Sequence, residues 1–182
     1  MENRKSIACL LIVLSMAFFQ SCKKSSGSGG PPPEFYLTAT VDGTSWTANL
    51  KNGVNDVAAG TSGGLFLVLG VQVKGKDSTA ILLAFPVNPS LNTPKSFDPL
   101  QKSVAGYVTV SGAYSADPAV NGSGSYTITY LNDSSKTVEG SFNCLAMRTK
   151  GSGVASVNIT NGKFRTRYTD HTIPQPPANL KR

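Results

Sequence analysis

The fold of this chain is most constrained by short segments in which apolar and polar residues alternate, joined by Asp-Gly or Asn-Gly dipeptides. Phe35–Asp42 alternates strictly, and Asp42-Gly43 favours a type I′ turn into Ser45–Leu50, which alternates again. A two-residue loop places Ala39 opposite Trp46, so that the apolar faces of the two segments coincide. The pattern therefore predicts a half-buried β-hairpin with the Trp46 side chain pointing into a core.

The rest of the chain predicts the same kind of structure. Leu65–Val73 and Thr79–Phe85 are nearly continuous apolar runs, and they predict a central hairpin buried on much of both faces. Four prolines predict an irregular loop over Pro86–Pro99. No helical period follows residue 22, so we expect a single antiparallel β-sandwich over residues 35–170, with a β-barrel as the alternative. Further strands are predicted at Val54–Gly60, Val104–Val110, Ser125–Leu131, Lys136–Arg148, Val154–Thr160 and Lys163–Tyr168.

The last predicted hairpin carries the sharpest candidate for a binding site. Asn161-Gly162 predicts its turn, and the register places Ile159 opposite Phe164. Three basic residues, Lys163, Arg165 and Arg167, then share the outer face. They are spaced about 7 Å apart along the strand, which suits a repeating anionic polymer. A solvated outer face, or protection of a sheet edge by basic side chains, is the alternative interpretation. The anion-binding residues predicted here are Lys163, Arg165 and Arg167, facing Ser156, Asn158 and Thr160.

The amino-terminal stretch predicts how the protein is delivered. Arg4 and Lys5 precede the apolar run Ile7–Phe19, whose thirteen residues are too few for a bilayer span of about 20. Ser21-Cys22 follows, and the whole resembles a bacterial lipoprotein signal, in which the cysteine becomes the lipidated first residue of the mature chain. We expect a signal peptide at residues 1–21 and lipidation of Cys22; an uncleaved helix or an ordinary secretory signal is the alternative.

The segments that flank the β domain predict a tether and a tail. Residues 22–34 are rich in Ser, Gly and Pro, as in a flexible linker. Residues 171–182 form a Pro-rich segment that we expect to be disordered. Together these features predict a lipid-anchored protein of the cell envelope, in the outer membrane. The basic residues after Cys22 favour the periplasmic side over the cell surface.

Composition narrows the classes of partner. The formal net charge is +7, and removal of Glu2, Arg4 and Lys5 with the signal lowers it by one. A basic excess favours anionic partners such as lipid headgroups or acidic glycans, whereas nucleic acid is a poor candidate for an exported protein.

Catalytic and metal sites are not expected. His171 is the sole histidine, so that a triad has no credible base. No Cys-x-x-Cys pair or dense acidic loop offers metal ligands, and no cofactor motif is present.

Cys144 is expected to be a small buried hydrophobe, with a reactive thiol as the alternative. Asp77-Ser78-Thr79 resembles a short O-glycosylation acceptor motif. The aromatic side chains have two interpretations: they form a platform on which sugars stack, or they pack in the core. They are Trp46, Tyr107, Tyr114, Tyr126 and Tyr130.

Several segments, in order, carry a family resemblance. Thr38–Trp46 (TATVDGTSW), Gly124–Leu131, Val138–Phe142 (VEGSF) and Ile159–Phe164 (ITNGKF) resemble an uncharacterised family of Bacteroidetes lipoproteins, a domain of unknown function. The resemblance implies a compact β domain on a lipid anchor over Phe35–Tyr168, and it implies no functional residues.

The expected function is therefore a non-enzymatic, lipid-anchored module that binds anionic glycan or another envelope component. The alternative is a structural or accessory subunit that docks on another envelope protein through an apolar sheet face or through Pro86–Pro99.

Overall fold

The computed structural model describes residues 34–48 and 57–170, and this part of the chain is almost entirely β-strand. It contains two short 3₁₀ turns, Pro99–Gln101 and Pro118–Val120, and no α-helix. The all-β fold expected from the alternating segments is confirmed. The strands are β1 (Tyr36–Val41), β2 (Thr44–Thr47), β3 (Val57–Ser62), β4 (Leu65–Lys74), β5 (Asp77–Pro86), β6 (Lys95–Ser96), β7 (Val104–Thr109), β8 (Gly112–Ser115), β9 (Ser123–Asn132), β10 (Thr137–Gly151) and β11 (Ser156–Asp170).

All eleven strands belong to one sheet, in the order β2-β1-β11-β3-β4-β5-β7-β8-β10-β9-β6. An additional β10–β11 pairing joins two strands that are far apart in this order, so that seven strands form a closed, barrel-like circuit from β11 through β3 to β10. Neighbouring strands are antiparallel except for β3 and β11, which run parallel. The pairs β1–β2 and β9–β6 extend from the circuit.

The first hairpin forms as its sequence predicts. Ala39 pairs with Trp46, and Asp42 and Gly43 have the positive φ angles, 47° and 78°, that a type I′ turn requires. Trp46 is buried, and its indole Nε1 donates a hydrogen bond to Thr79 Oγ1 at 2.8 Å. This bond ties the first hairpin to β5 across the core. Leu50, at the end of the second predicted segment, lies outside the described residues.

The central hairpin also forms, with Lys74 paired to Asp77 around Gly75 (φ 63°). Its burial differs from the prediction. On β4 fully buried side chains alternate with half-buried ones, so that one face lies in the core while the other is only partly covered. The sequence is apolar on both faces, but only one of them packs against the core.

The prediction of a last hairpin is wrong. Residues 156–170 form one continuous strand, and Asn161-Gly162 lies at a β-bulge within it. Asn161 has φ 52°, a conformation that serves a bulge as well as a turn. β11 pairs with β1 on one side and with β10 on the other over this stretch, and these long ladders keep the strand extended. Ile159 therefore pairs with Cys144 and Val41 instead of Phe164.

The loop after β5 is more ordered than its prolines suggest. Lys95 and Ser96 form β6 at the edge of the sheet beside β9, and Phe97 inserts into the core with 1% of its surface exposed. Ser103 Oγ accepts a hydrogen bond from the Asp98 amide and donates to the Ser96 carbonyl. The loop thus contributes a core residue and an edge strand.

The two ends of the molecule differ. Asp170 lies near Lys136 and Thr61, and Arg167 lies over the Phe35 ring, so that the described chain enters and leaves at the same end. The turns β1–β2, β4–β5, β7–β8 and β10–β11 lie at the opposite end, which we call the distal end. All strands and the buried core lie between residues 36 and 170, so that this part of the chain closes its own core.

The predictions for the signal peptide, Cys22, residues 23–33 and the tail from His171 fall on residues outside the described part. No helix among the described residues is long and apolar enough to cross a membrane.

Candidate ligand-binding face

The three predicted anion-binding residues do project together. Lys163, Arg165 and Arg167 alternate along β11 with the buried residues Phe164, Thr166 and Tyr168, so that they share the outer face of this strand. Their neighbours are not the predicted ones. Because β11 does not fold back on itself, Ser156, Asn158 and Thr160 lie further along the same strand, and the side chains beside the cations come from β1 and β10.

Two rows of side chains cross the four strands β1, β11, β10 and β9. The first row is Tyr36, Arg165, Glu139 and Tyr130, each paired in register with the next. The second row, one step along the strands, is Thr38, Lys163, Ser141 and Thr127. We call the outer side of these four strands, with Arg167 next to the first row, the basic face.

One acid partly neutralises the basic face. Arg165 Nη1 lies 2.9 Å from Glu139 Oε1, and this ion pair fixes the guanidinium between two tyrosines. Lys163 and Arg167 have no ion-pair partner among the described residues; the Arg167 guanidinium lies 5.5 Å from the centroid of the Phe35 ring. Two exposed cations therefore flank a positioned arginine, and the face keeps a net positive charge.

Tyr130 reaches this face because of a bulge that the sequence pattern does not show. Simple alternation places Tyr130 on the core side with Tyr126 and Ile128. The register instead shifts between Glu139 and Gly140, so that Thr129 is an extra residue and Tyr130 points outward, 40% exposed. Its hydroxyl accepts a hydrogen bond from Asn132 Nδ2 at 3.0 Å.

The other aromatic candidates for a sugar platform lie in the core. Four side chains are buried, so that core packing is the correct interpretation for them: Trp46, Tyr107, Tyr114 and Tyr126. Tyr36 replaces them on the outer surface, half-buried beside Arg165. A signal for Tyr36 was present in the sequence, since it occupies the polar phase of the first alternating strand.

Other reactive groups are either buried or dispersed. Cys144 lies in the core, and burial raises the pKa of its thiol to about 12. Within residues 34–48 and 57–170, no group of three or more His, Cys, Asp or Glu side chains could hold a metal ion. Asp77 and Ser78, from the predicted glycosylation motif, are exposed at the distal end, whereas Thr79 accepts the Trp46 hydrogen bond. Modification at this motif stays a prediction.

Comparison of the chain with protein-family models, with curated proteins and with solved structures finds no match. The resemblance to a Bacteroidetes lipoprotein family therefore stays a prediction from the ordered sequence motifs.

Proposed function

We propose that this protein is a non-enzymatic, lipid-anchored module of the cell envelope that binds an anionic glycan on its basic face. The observation that carries the proposal is the row of Lys163, Arg165 and Arg167, which β11 presents together on a polar outer surface. The anchor is the lipidated Cys22 expected from the sequence, on the outer membrane and facing the periplasm. Bacteroidetes lipoproteins of the resembling family are its proposed relatives.

The geometry of the face suits an extended anionic ligand. Alternate residues of a strand lie about 7 Å apart, so that the three cations form a regular row along β11. Arginine binds carboxylate and phosphate groups with two parallel hydrogen bonds, while lysine acts as a point charge. Tyr36 and Tyr130, at the two ends of the row through Arg165, provide flat surfaces on which sugar rings pack.

An accessory subunit that docks on another envelope protein is the second candidate function. It is favoured by one observation, the half-buried apolar outer side of β4 and β5, since apolar surface of this kind is typical of protein contacts.

The test measures binding of the chain from residue 23 to soluble, lipid-free acidic and neutral glycans, at low and high salt. The variant Lys163→Gln/Arg167→Gln removes two cations and leaves the ion pair of Arg165 intact. We expect salt-sensitive binding to an acidic ligand that falls about tenfold or more in this variant.

The matched control is Lys74→Gln/Lys76→Gln, which removes the same charge from the distal end. If this control weakens binding as much as the variant on β11, net charge alone explains the affinity and the basic face is not a site. Absence of binding to every acidic glycan would overturn the glycan proposal and favour the accessory-subunit function.

A further inference from the structure

A second outer surface of the molecule is apolar. The side chains of β4, β5 and β7 that alternate with core residues point away from the core, and they stand in register across the three strands. Leu69 pairs with Leu82, which pairs with Gly106; Val71 pairs with Ala80, which pairs with Val108. We call this surface the apolar face; its members are Leu67, Leu69, Val71, Val73, Ala80, Leu82, Val104, Val108 and Val110.

The apolar residues become more exposed toward the distal end. The leucines of β4 are half-buried, whereas Val73 is 38% exposed, Val108 is 46% exposed and Val110, in the β7–β8 turn, is 70% exposed. Single exposed apolar residues are common on protein surfaces, but three at the distal ends of β4 and β7 that continue an apolar sheet face are not. The part of this surface that meets solvent most is therefore its tip.

Basic side chains surround this tip. Lys74 and Lys76 are exposed in the β4–β5 turn, next to Val73. Lys150 pairs with Ala113, which pairs in turn with Val108. Asp77 is the acid of the β4–β5 turn, so that lysine outnumbers acid there.

We propose that the apolar face binds an anionic lipid surface directly, with Val73, Val108 and Val110 in the headgroup region and Lys74 and Lys76 on lipid phosphates. Exposed apolar side chains with lysines beside them are suited to a lipid interface. There the apolar groups leave water, and the lysines attract anionic headgroups. This inference does not rest on the glycan proposal, because it uses a different side of the molecule.

A second copy of this chain fits the apolar face less well. A stable interface buries about 800 Å² of each partner and places the best-buried apolar residues at its centre. Here the centre of the face, at Leu69 and Leu82, is already half-covered by its own neighbours, and the most exposed valines lie at one end. An apolar tip with charged residues beside it is better suited to a lipid surface, which deforms and lets the valines insert, than to a second copy of the chain.

The test is sedimentation of the chain from residue 23 with vesicles, so that no lipid on Cys22 contributes. Vesicles of phosphatidylglycerol and phosphatidylethanolamine are compared with vesicles of phosphatidylcholine alone, at low and high salt. We expect binding to the anionic vesicles that falls roughly 10- to 30-fold in Lys74→Gln/Lys76→Gln. The variant Val108→Ser/Val110→Ser keeps every charge, and we expect it to lose binding as well.

Two controls separate the face from general charge and general hydrophobicity. Lys163→Gln/Arg167→Gln removes the same charge from the basic face, and Leu91→Ser removes an exposed leucine elsewhere; both should bind the anionic vesicles like the wild type. The proposal is overturned if the wild type binds anionic and neutral vesicles equally weakly, or if the controls lose as much binding as the test variants. A dimer in sedimentation velocity that Val108→Ser/Val110→Ser dissociates, without vesicle binding, would instead assign the face to a second copy.

Discussion

At the scale of single residues, Cys144 illustrates how burial controls chemistry. Burial raises the pKa of its thiol from 9.0 to about 12, so that at pH 8 the folded state holds roughly a thousandfold less thiolate than the unfolded chain. We expect iodoacetamide to modify the folded chain from residue 23, in which Cys144 is the sole cysteine, only as fast as the protein unfolds. Mass spectrometry measures the rate of this modification with and without denaturant. Rapid modification of the folded protein would show that Cys144 is a reactive thiol.

The same shift has a consequence for stability at alkaline pH. Because the folded-state pKa lies above the unfolded one, the contribution of the neutral thiol is complete below pH 9 and is lost as the pH rises toward 12. The variant Cys144→Ala lacks this dependence. Denaturant titrations should therefore show that the excess free energy of unfolding of the wild type over the variant shrinks above pH 9. A difference that stays constant with pH would contradict the raised thiol pKa.

Single residues also show what the sequence could and could not predict. Trp46 was placed correctly, since a two-residue turn fixes the register of its hairpin. Lys163, Arg165 and Arg167 were placed correctly on one face because alternation within a strand holds whatever the strand pairs with. Tyr130 was misplaced, because the single extra residue at Thr129 inverts the alternation and leaves no mark in the apolar pattern.

At the scale of elements, β10 and β11 fit together through two glycine–phenylalanine pairs. Both strands contain the spacing Gly-x-Phe, and antiparallel pairing places Gly140 opposite Phe164 and Phe142 opposite Gly162. A Cβ atom at Gly162 would lie 2.6 Å from the Phe142 ring, and one at Gly140 would lie 2.8 Å from the Phe164 ring. Each ring thus covers the bare backbone of the glycine opposite, which gives a physical role to the VEGSF and ITNGKF motifs.

This arrangement predicts that a methyl group at either glycine destabilises the fold. We expect Gly140→Ala and Gly162→Ala each to lower the free energy of unfolding by about 1–3 kcal/mol. At both positions a buried ring must move, and at Gly140 the added Cβ would also lie 2.7 Å from the Thr127 carbonyl oxygen. Chemical denaturation followed by Trp46 fluorescence measures the change. Gly106→Ala on β7 is the matched control; its Cβ would lie 3.5 Å from the nearest atom, the Tyr114 carbonyl oxygen, and we expect stability to stay the same or rise by up to about 1 kcal/mol. Equal effects at all three positions would contradict the packing explanation.

The failed hairpin at Asn161-Gly162 belongs to the same scale. The dipeptide does require a residue with positive φ, and Asn161 has one, so the local chemistry was interpreted correctly. Whether such a residue makes a turn or a bulge depends on the partners available to the strand. β11 has β1 and β10 on its two sides, and both lie far away in sequence, so that no local pattern could show them.

At the scale of the whole molecule, the parallel contact between β3 and β11 closes the circuit of strands. It involves only three residue pairs, among them Tyr168 with Ala59 and Asp170 with Thr61, and it joins segments about a hundred residues apart. Two-residue turns predicted the local hairpins, but nothing local predicts this pairing. The sequence therefore indicated a β-sandwich and kept a β-barrel only as the alternative. Among the strands of the described residues, β2 and β6 are the edges of the sheet.

Hydrogen exchange tests this closure directly. Strands paired on both sides, such as β4 and β5, should exchange their amide hydrogens slowest. The strands β2 and β6 should exchange first, because one side of each has no strand partner within residues 34–48 and 57–170. If the circuit is closed in solution, the amides of Ala59, Thr61 and Thr169 are protected well above those of the edge strands. Exchange at these three positions as fast as in β6 would show that β3 and β11 part readily and that the sheet is open there. The ion pair between Lys136 and Asp170 holds the end of β11 beside the closing pairs. We therefore expect the variant Lys136→Gln to increase amide exchange only at this end of the molecule.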